Sequence, residues 1–214
     1  MTFSPAPAQE SKVKGTIPEY HYTQLSHPEN IRLLRLLPNK ESKKELRCEL
    51  FEYPLGDSDK LTRPYEALSY FWGSQRNLQS ILVDNCSFKI TQNLHDALST
   101  LQDYVIPRII WVDAICIDQM HEEEKLKQIQ YMTEIYAKAS RVIVWLGEAH
   151  GERNGQYDNE IQDKGEQDHS VEQAIEAIRL VGENQTKLLD IEQFKPAILK
   201  LLQRKWFRRI WVRQ

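Results

Sequence analysis

Nine consecutive residues, Trp111-Val-Asp-Ala-Ile-Cys-Ile-Asp-Gln119, constrain this chain more than any other stretch. Apolar side chains fill the run except at Asp113 and the closing Asp118-Gln119. A short apolar run rich in Ile and Val predicts a strand buried on both faces. Strands of that kind sit in sheets covered by helices on both sides, so the run points to an α/β domain. An acid within it is costly to bury unless it is paired or lies near the strand's carboxyl end. In open α/β sheets that end is where ligands bind. The plainer reading of Asp113 is a cap for the neighbouring loop, a common role of short polar side chains.

The composition suits such a domain. Of 214 residues, 41% are hydrophobic and 28% charged, enough apolar material for a proper core and too much for a disordered chain. A formal net charge of -3 argues against a dedicated nucleic-acid binder. No apolar stretch approaches the roughly 20 residues of a membrane span, and the first ten residues lack the basic-then-apolar pattern of a secretory signal. Cys48, Cys86 and Cys116 are far apart and form no CxxC, which fits a reducing compartment and a cytoplasmic location. No zinc-type ligand spacing is present, and neither is a P-loop or a GxGxxG, so no metal or bound cofactor is expected.

Residues 1–30 carry Pro5, Pro7, Pro18 and Pro28 among polar side chains and are expected to be extended or disordered. Ile31-Arg-Leu-Leu-Arg-Leu-Leu37, stopped by Pro38, predicts a first strand, and Glu45 to Tyr53 alternates enough to pair with it. Tyr65-Glu-Ala-Leu-Ser-Tyr-Phe-Trp-Gly73 predicts a short apolar strand closed by glycine. Ile81-Leu-Val83 and Phe88-Lys-Ile90 flank Asp84-Asn85, a hairpin turn. Thr91 or Asn93 then caps a helix with Leu94, Ala97, Leu98 and Leu101 on one face.

A second helix, about His121 to Ala139, is expected to bury Ile129, Met132, Tyr136 and Ala139 and to carry Glu122, Glu123 and Glu124 in its first turn, where the helix dipole favours acids. Arg141-Val-Ile-Val-Trp-Leu-Gly147 predicts another buried strand ended by glycine. Strands alternating with helices imply a central, mostly parallel sheet flanked by helices, with the hairpin as an insertion. Residues 148–170, rich in Gly, Asn, Gln and acids, read as a loop insertion. Val171 to Val181 and Ile191 to Gln214 read as C-terminal helices, with Pro196 tolerated near a start. The domain then spans 31–214, and the chain stops inside an element expected to be ordered, as a fragment does.

Several of these blocks match one family in order. Tyr65–Gly73, Trp111–Gln119, Glu124-Lys-Leu-Lys-Gln-Ile129 with Met132 and Ile135-Tyr136, and Val142-Ile-Val-Trp-Leu-Gly147 together resemble a fungal heterokaryon-incompatibility (HET) domain. The leading Ile31–Pro38 and the closing Trp206-Phe-Arg-Arg-Ile-Trp-Val-Arg-Gln214 extend the match. Asp118 stands where Asn is commoner, and His121 where an acid is commoner. The resemblance implies a role in fungal non-self recognition, in which such proteins trigger programmed death of a mixed cell by self-association or by engaging other cell-death signalling proteins. It also implies a distant kinship to TIR domains, some of which hydrolyse NAD. Tyr65–Gly73 then takes the place of the first TIR strand, Trp111–Ile117 the second and Val142–Gly147 the third, a flavodoxin-like order. Trp206–Gln214 takes the place of the element that carries the catalytic glutamate. In the HET pattern an acid usually follows the position of Gln214, which places that acid outside this chain.

Cleaving a nicotinamide–ribose bond passes through an oxocarbenium-like state. The site needs a carboxylate, an aromatic face and donors for phosphate. The carboxyl ends of the expected strands supply Ser69, Tyr70, Trp72 and Gly73, then Asp113, Asp118 and Gln119, then Trp145 and Gly147. Asp113 is the candidate catalytic acid, and Glu124, four residues before Gln128 on one helix face, is a second. Each has a plainer alternative: a cap for Asp113, a solvated first-turn acid for Glu124, core packing for the tryptophans, and turns for the glycines. Cys116 with Asp118 and His121 invites a nucleophile reading, but a buried apolar thiol is the simpler one. The final basic-aromatic run reads either as helix packing or as a patch for nucleic acid or membrane.

Overall fold

In the computed structural model, which describes residues 17–39, 45–56, 65–147, 170–183 and 191–208, the strand-forming runs join into one seven-stranded sheet. Strand β1 (Asn30–Leu36) is apolar on both faces and lies in the sheet interior, with Ile31, Leu33, Leu34 and Leu36 at most 1% exposed. It pairs antiparallel with β2 (Arg47–Pro54) over its whole length, from Asn30↔Pro54 to Leu36↔Cys48. The hairpin of β4 (Leu78–Val83) and β5 (Cys86–Thr91) adds to β2's far side, with β4 parallel to β2. Its turn, Asp84-Asn85, holds both residues at positive φ (50° and 64°), the geometry a two-residue hairpin demands and Asn and Asp tolerate.

On the other side of β1 lie β6 (Arg108–Trp111), β3 (Glu66–Tyr70) and β7 (Arg141–Trp145), giving the order β5-β4-β2-β1-β6-β3-β7. The last three are mutually parallel, so their carboxyl ends share one edge of the sheet. Counted along the chain within this unit, the order is 2-1-3, the arrangement with which flavodoxin-like sheets begin. Helix α1 (Gln92–Leu101) follows the hairpin; the Thr91 hydroxyl accepts from the Leu94 amide at 3.4 Å, and Leu94, Ala97 and Leu98 are buried. Helix α3 (Glu122–Lys138) joins the β6 region to β7, and His121 Nδ1 caps it by accepting from the Glu124 amide at 3.1 Å.

Several sequence expectations shift. The apolar nonapeptide is not a continuous strand: β6 ends at Trp111, and Asp113–Cys116 form a single helical turn, α2. The run is buried either way, and periodicity alone cannot separate a buried strand from a buried turn of helix. Backbone bonds close the turn, the Val112 carbonyl accepting from the amides of Ile115 and Cys116, while Asp113 Oδ1 accepts from the Ala114 amide at 2.8 Å. Strand β7 is not buried on both faces. It is the sheet edge among the described residues, and Val142 and Val144 are 47% and 42% exposed. In α3, Ile129 faces solvent, and the buried positions are Ile135 and Gln128, whose amide donates to the Asn30 carbonyl at 2.9 Å. Met132, Tyr136 and Ala139 do pack on the core.

Helices α4 (Ser170–Gly182) and α5 (Ile191–Leu202) form the C-terminal part, with Ala174, Ala197 and Leu201 packed beside Leu146 and Phe207. Pro196 lies inside α5, not at its start. A 3-10 turn, Lys205–Arg208, follows where a continuous helix was expected. The acidic stretch 148–169 and residues 209–214 lie outside the described residues. Among those described, no helix is long and apolar enough to cross a membrane.

Candidate functional site

Parallel pairing sets the stage for the site. The register Ser69↔Val144 and Tyr70↔Trp145 brings the ends of β3 and β7 level, and Ala67↔Trp111 places Asp113 just past the end of β6. Between the first and third strands of a 2-1-3 unit the chain's crossovers diverge, and the carboxyl edge at that point is where open α/β sheets bind ligands.

Three indoles converge there, each with its N–H committed to a polar group. Trp72 Nε1 donates to Asp113 Oδ2 at 2.9 Å, Trp145 Nε1 to Asn93 Oδ1 at 2.9 Å, and Trp206 Nε1 to Ser69 Oγ at 3.0 Å. The rings of Trp72 and Trp145 also pack on the core, as the core reading of the tryptophans expects. Asn93 is the hinge of the arrangement: its amide also donates to the Phe71 carbonyl, tying the end of β3 to the end of β7. Gly73 is needed for the same reason. Its φ is +80°, and an added Cβ would lie 3.3 Å from Asn93 Cβ.

Asp113 is 7% exposed and opens α2. Besides the Ala114 amide and the Trp72 indole on its carboxylate, its carbonyl accepts from Gln119 Nε2 at 2.9 Å. The cap of the turn is Val112, with no side-chain cap bond, so Asp113 is the first residue of the turn and not its cap. Just past the end of β7, Arg204 Nη1 lies 3.3 Å from the Leu146 carbonyl and 3.5 Å from that of Gly147, whose φ is +90°. Lys205 Nζ stands 5.7 Å above the Phe71 ring.

The remaining candidates go elsewhere. Tyr70 is 1% exposed and belongs to the core. Asp118 makes an Asx turn, its Oδ1 accepting from the Met120 amide at 3.0 Å. With Gln119 it lines a separate groove of about 500 Å³ alongside Tyr20, Tyr22 and Phe88. Glu124 forms a buried, two-pronged pair with Arg32 (2.5 and 3.0 Å) and accepts from the Asp118 amide at 3.0 Å. Burial pushes its carboxyl up, but those hydrogen bonds outweigh burial and hold it below the usual carboxylate range. Cys116 is fully buried, and burial pushes its thiol up to about 12, so no nucleophile is available there. Among the described residues no three His, Cys, Asp or Glu side chains gather as metal ligands.

Sequence reasoning did not single out Asn93 as a site residue, nor Arg204, and it met Trp206 only as part of a basic-aromatic run. Asn93 carried a signal of its own: a polar residue two positions after the true cap, in a helix whose apolar face faces the sheet.

Residues 65–214 match the family model for the heterokaryon incompatibility protein (HET). That span holds the three parallel strands and every side chain of the crevice. The chain belongs to the HET family. It is also similar to heterokaryon incompatibility protein 6, OR allele, of Neurospora crassa, at 29% identity over 233 aligned positions. The match covers 94% of this chain and 34% of that protein, so the HET chain spans about a third of the length of the curated relative it matches. No solved structure matches it.

Proposed function

We propose that this HET domain is an effector of fungal non-self recognition, acting in programmed death of incompatible fused cells, and that its crevice hydrolyses NAD. The observation that carries the chemical part is Asp113. Its carboxylate is held by the Trp72 indole at the carboxyl end of a parallel strand, beside the point where the crossovers diverge. In the reaction the nicotinamide–ribose bond breaks, nicotinamide leaves with the bonding electrons, and water adds to the ribose carbon and releases one proton to solvent. The Asp113 carboxylate stabilises the positive charge that develops on the ribose. Trp72 and Trp145 wall the site, and Arg204 and Lys205 bring positive charge to its rim, where a pyrophosphate carries negative charge.

The test is nicotinamide release from NAD, followed by chromatography, for the wild-type protein and for Asp113→Asn. Asn offers one acceptor oxygen where Asp113 serves both the Ala114 amide and the Trp72 indole, so the fold of the variant is checked by circular dichroism, and turnover is expected to fall about 100-fold or more. A folded Asp113→Asn protein with wild-type turnover removes Asp113 from the mechanism.

A second reading, a non-catalytic module that signals by self-association, is favoured by a separate observation. Strand β7 is an unpaired edge among the described residues, with Val142 and Val144 exposed, and α4 exposes Ile175, Ile178 and Val181 along one side. That reading predicts concentration-dependent oligomers in sedimentation and no NAD turnover. A strictly monomeric protein that consumes NAD refutes it.

A further inference from the structure

A four-residue helix does not hold itself. In α2 the internal bonds are few: the Val112 carbonyl accepts from the amides of Ile115 (3.1 Å) and Cys116 (2.8 Å), and the Asp113 carbonyl from that of Ile117 (3.3 Å). The last carbonyls of any helix lack partners within it, and a single turn fixes many dihedrals for little return. In α2 two side chains supply the missing bonds, at Ile115 and Cys116, and a third adds to the Asp113 carbonyl. The Tyr22 hydroxyl donates to the Ile115 carbonyl at 2.8 Å, Arg32 Nη1 approaches the Cys116 carbonyl at 3.4 Å, and Gln119 Nε2 donates to the Asp113 carbonyl.

The shortest of the three comes from a strap. Residues 17–29 cross the body largely exposed and outside any named strand. They are pinned at Ser87, whose amide donates to the Pro18 carbonyl at 2.7 Å and whose carbonyl accepts from the Tyr20 amide at 3.0 Å. Tyr22 itself is firmly set. Its ring meets Tyr20 and Phe88 edge-on at 5.2 and 6.0 Å, and the Arg32 guanidinium sits 5.0 Å over its face. Burial drives its phenol pKa far upward, so the hydroxyl keeps its proton. Arg32 Nη2 reaches back to the Thr23 carbonyl at 2.7 Å and binds the strap to the same turn.

We propose that Tyr22 is a positioning residue for Asp113: its hydroxyl, delivered by the N-terminal strap, fixes the α2 turn and thereby the aim of the Asp113 carboxylate. The functional side of this inference rests on Asp113 being the working carboxylate of the crevice. The mechanical side does not, and the two are separable by experiment.

Tyr22→Phe removes only the hydroxyl and leaves the ring cluster in place. Tyr20→Phe is the control, since it sits on the same strap and in the same ring cluster but has no bond to α2. The readouts are amide hydrogen exchange at Cys116 and Ile117 and the indole N–H resonance of Trp72, assigned among the five tryptophans by Trp72→Phe. Tyr22→Phe is expected to speed exchange at these amides about tenfold, the worth of one hydrogen bond. It also shifts the Trp72 indole resonance, while those of Trp145 and Trp206 stay in place. Tyr20→Phe leaves all of these unchanged. With NAD turnover in hand, kcat falls in Tyr22→Phe while KM is retained. Unchanged exchange and an unmoved Trp72 resonance in Tyr22→Phe overturn the proposal, as does an equal response from Tyr20→Phe. If Asp113→Asn leaves turnover untouched while Tyr22→Phe still moves the Trp72 resonance, the positioning link stands and the assignment of Asp113 to the chemistry falls.

Discussion

Replacing Glu124 with Gln removes one charge from a pair that is almost wholly out of water. The Arg32 and Glu124 side chains are 4% and 12% exposed, and both guanidinium prongs meet the carboxylate, at 2.5 and 3.0 Å. Breaking a buried pair from one side costs about 3–5 kcal/mol, because the surviving charge stays in a poor solvent. Gln keeps the shape, and Arg32 retains the carbonyls of Thr23 and Cys116, so the low end applies, about 3 kcal/mol at pH 7. With a urea slope of about 2 kcal/mol per M, the unfolding midpoint drops by roughly 1.5 M. The acid dependence has a definite sign. The folded-state pKa of Glu124 lies below its unfolded value. Its stabilisation is therefore complete above the unfolded value, about 4.3, and is lost as pH falls through the folded one. The gap between wild type and Glu124→Gln should be full at pH 7 and should close in acid below about pH 4. A gap under about 1 kcal/mol at pH 7, or one that does not narrow on acidification, refutes the ionic account.

Gly73→Ala forces a side chain into φ +80° with its Cβ 3.3 Å from Asn93. It should cost about 1–3 kcal/mol in chemical denaturation and move the Trp145 indole resonance, because Asn93 must yield. Thr91→Ala removes the cap of α1, a bond already long at 3.4 Å, and should cost about 0.5–1 kcal/mol with no change in the crevice indoles.

The elements themselves were legible because local rules make them. Asp84-Asn85 can adopt positive φ, so it turns the chain wherever it occurs. Thr91 places a hydroxyl where α1 needs an acceptor, and Gly73 and Gly147 end their strands in a conformation other residues avoid. The misreadings have physical causes too. The run Trp111–Ile117 is legible as largely buried, but burial does not distinguish an extended strand from a helical turn, and here backbone bonds from Ile115 and Cys116 to the Val112 carbonyl close a turn. Ile129 was assigned to the buried face of α3 on apolarity alone. Gln128 lies there instead because its amide reaches the Asn30 carbonyl, a partner 98 residues away.

The sequence by itself determined an α/β domain of the HET family and most of its strands, turns and caps. Those follow from period, turn chemistry and ordered motifs, all of which act over a few residues. Tertiary structure decided the partners. The bonds Trp72–Asp113, Trp145–Asn93 and Trp206–Ser69 span 41, 52 and 137 residues, and Glu124 meets Arg32 across 92. Which indole finds which acceptor depends on strand order and register in the folded sheet. Of two acids that looked alike as candidates, packing set Glu124 against a guanidinium and Asp113 against an indole N–H past the end of β6.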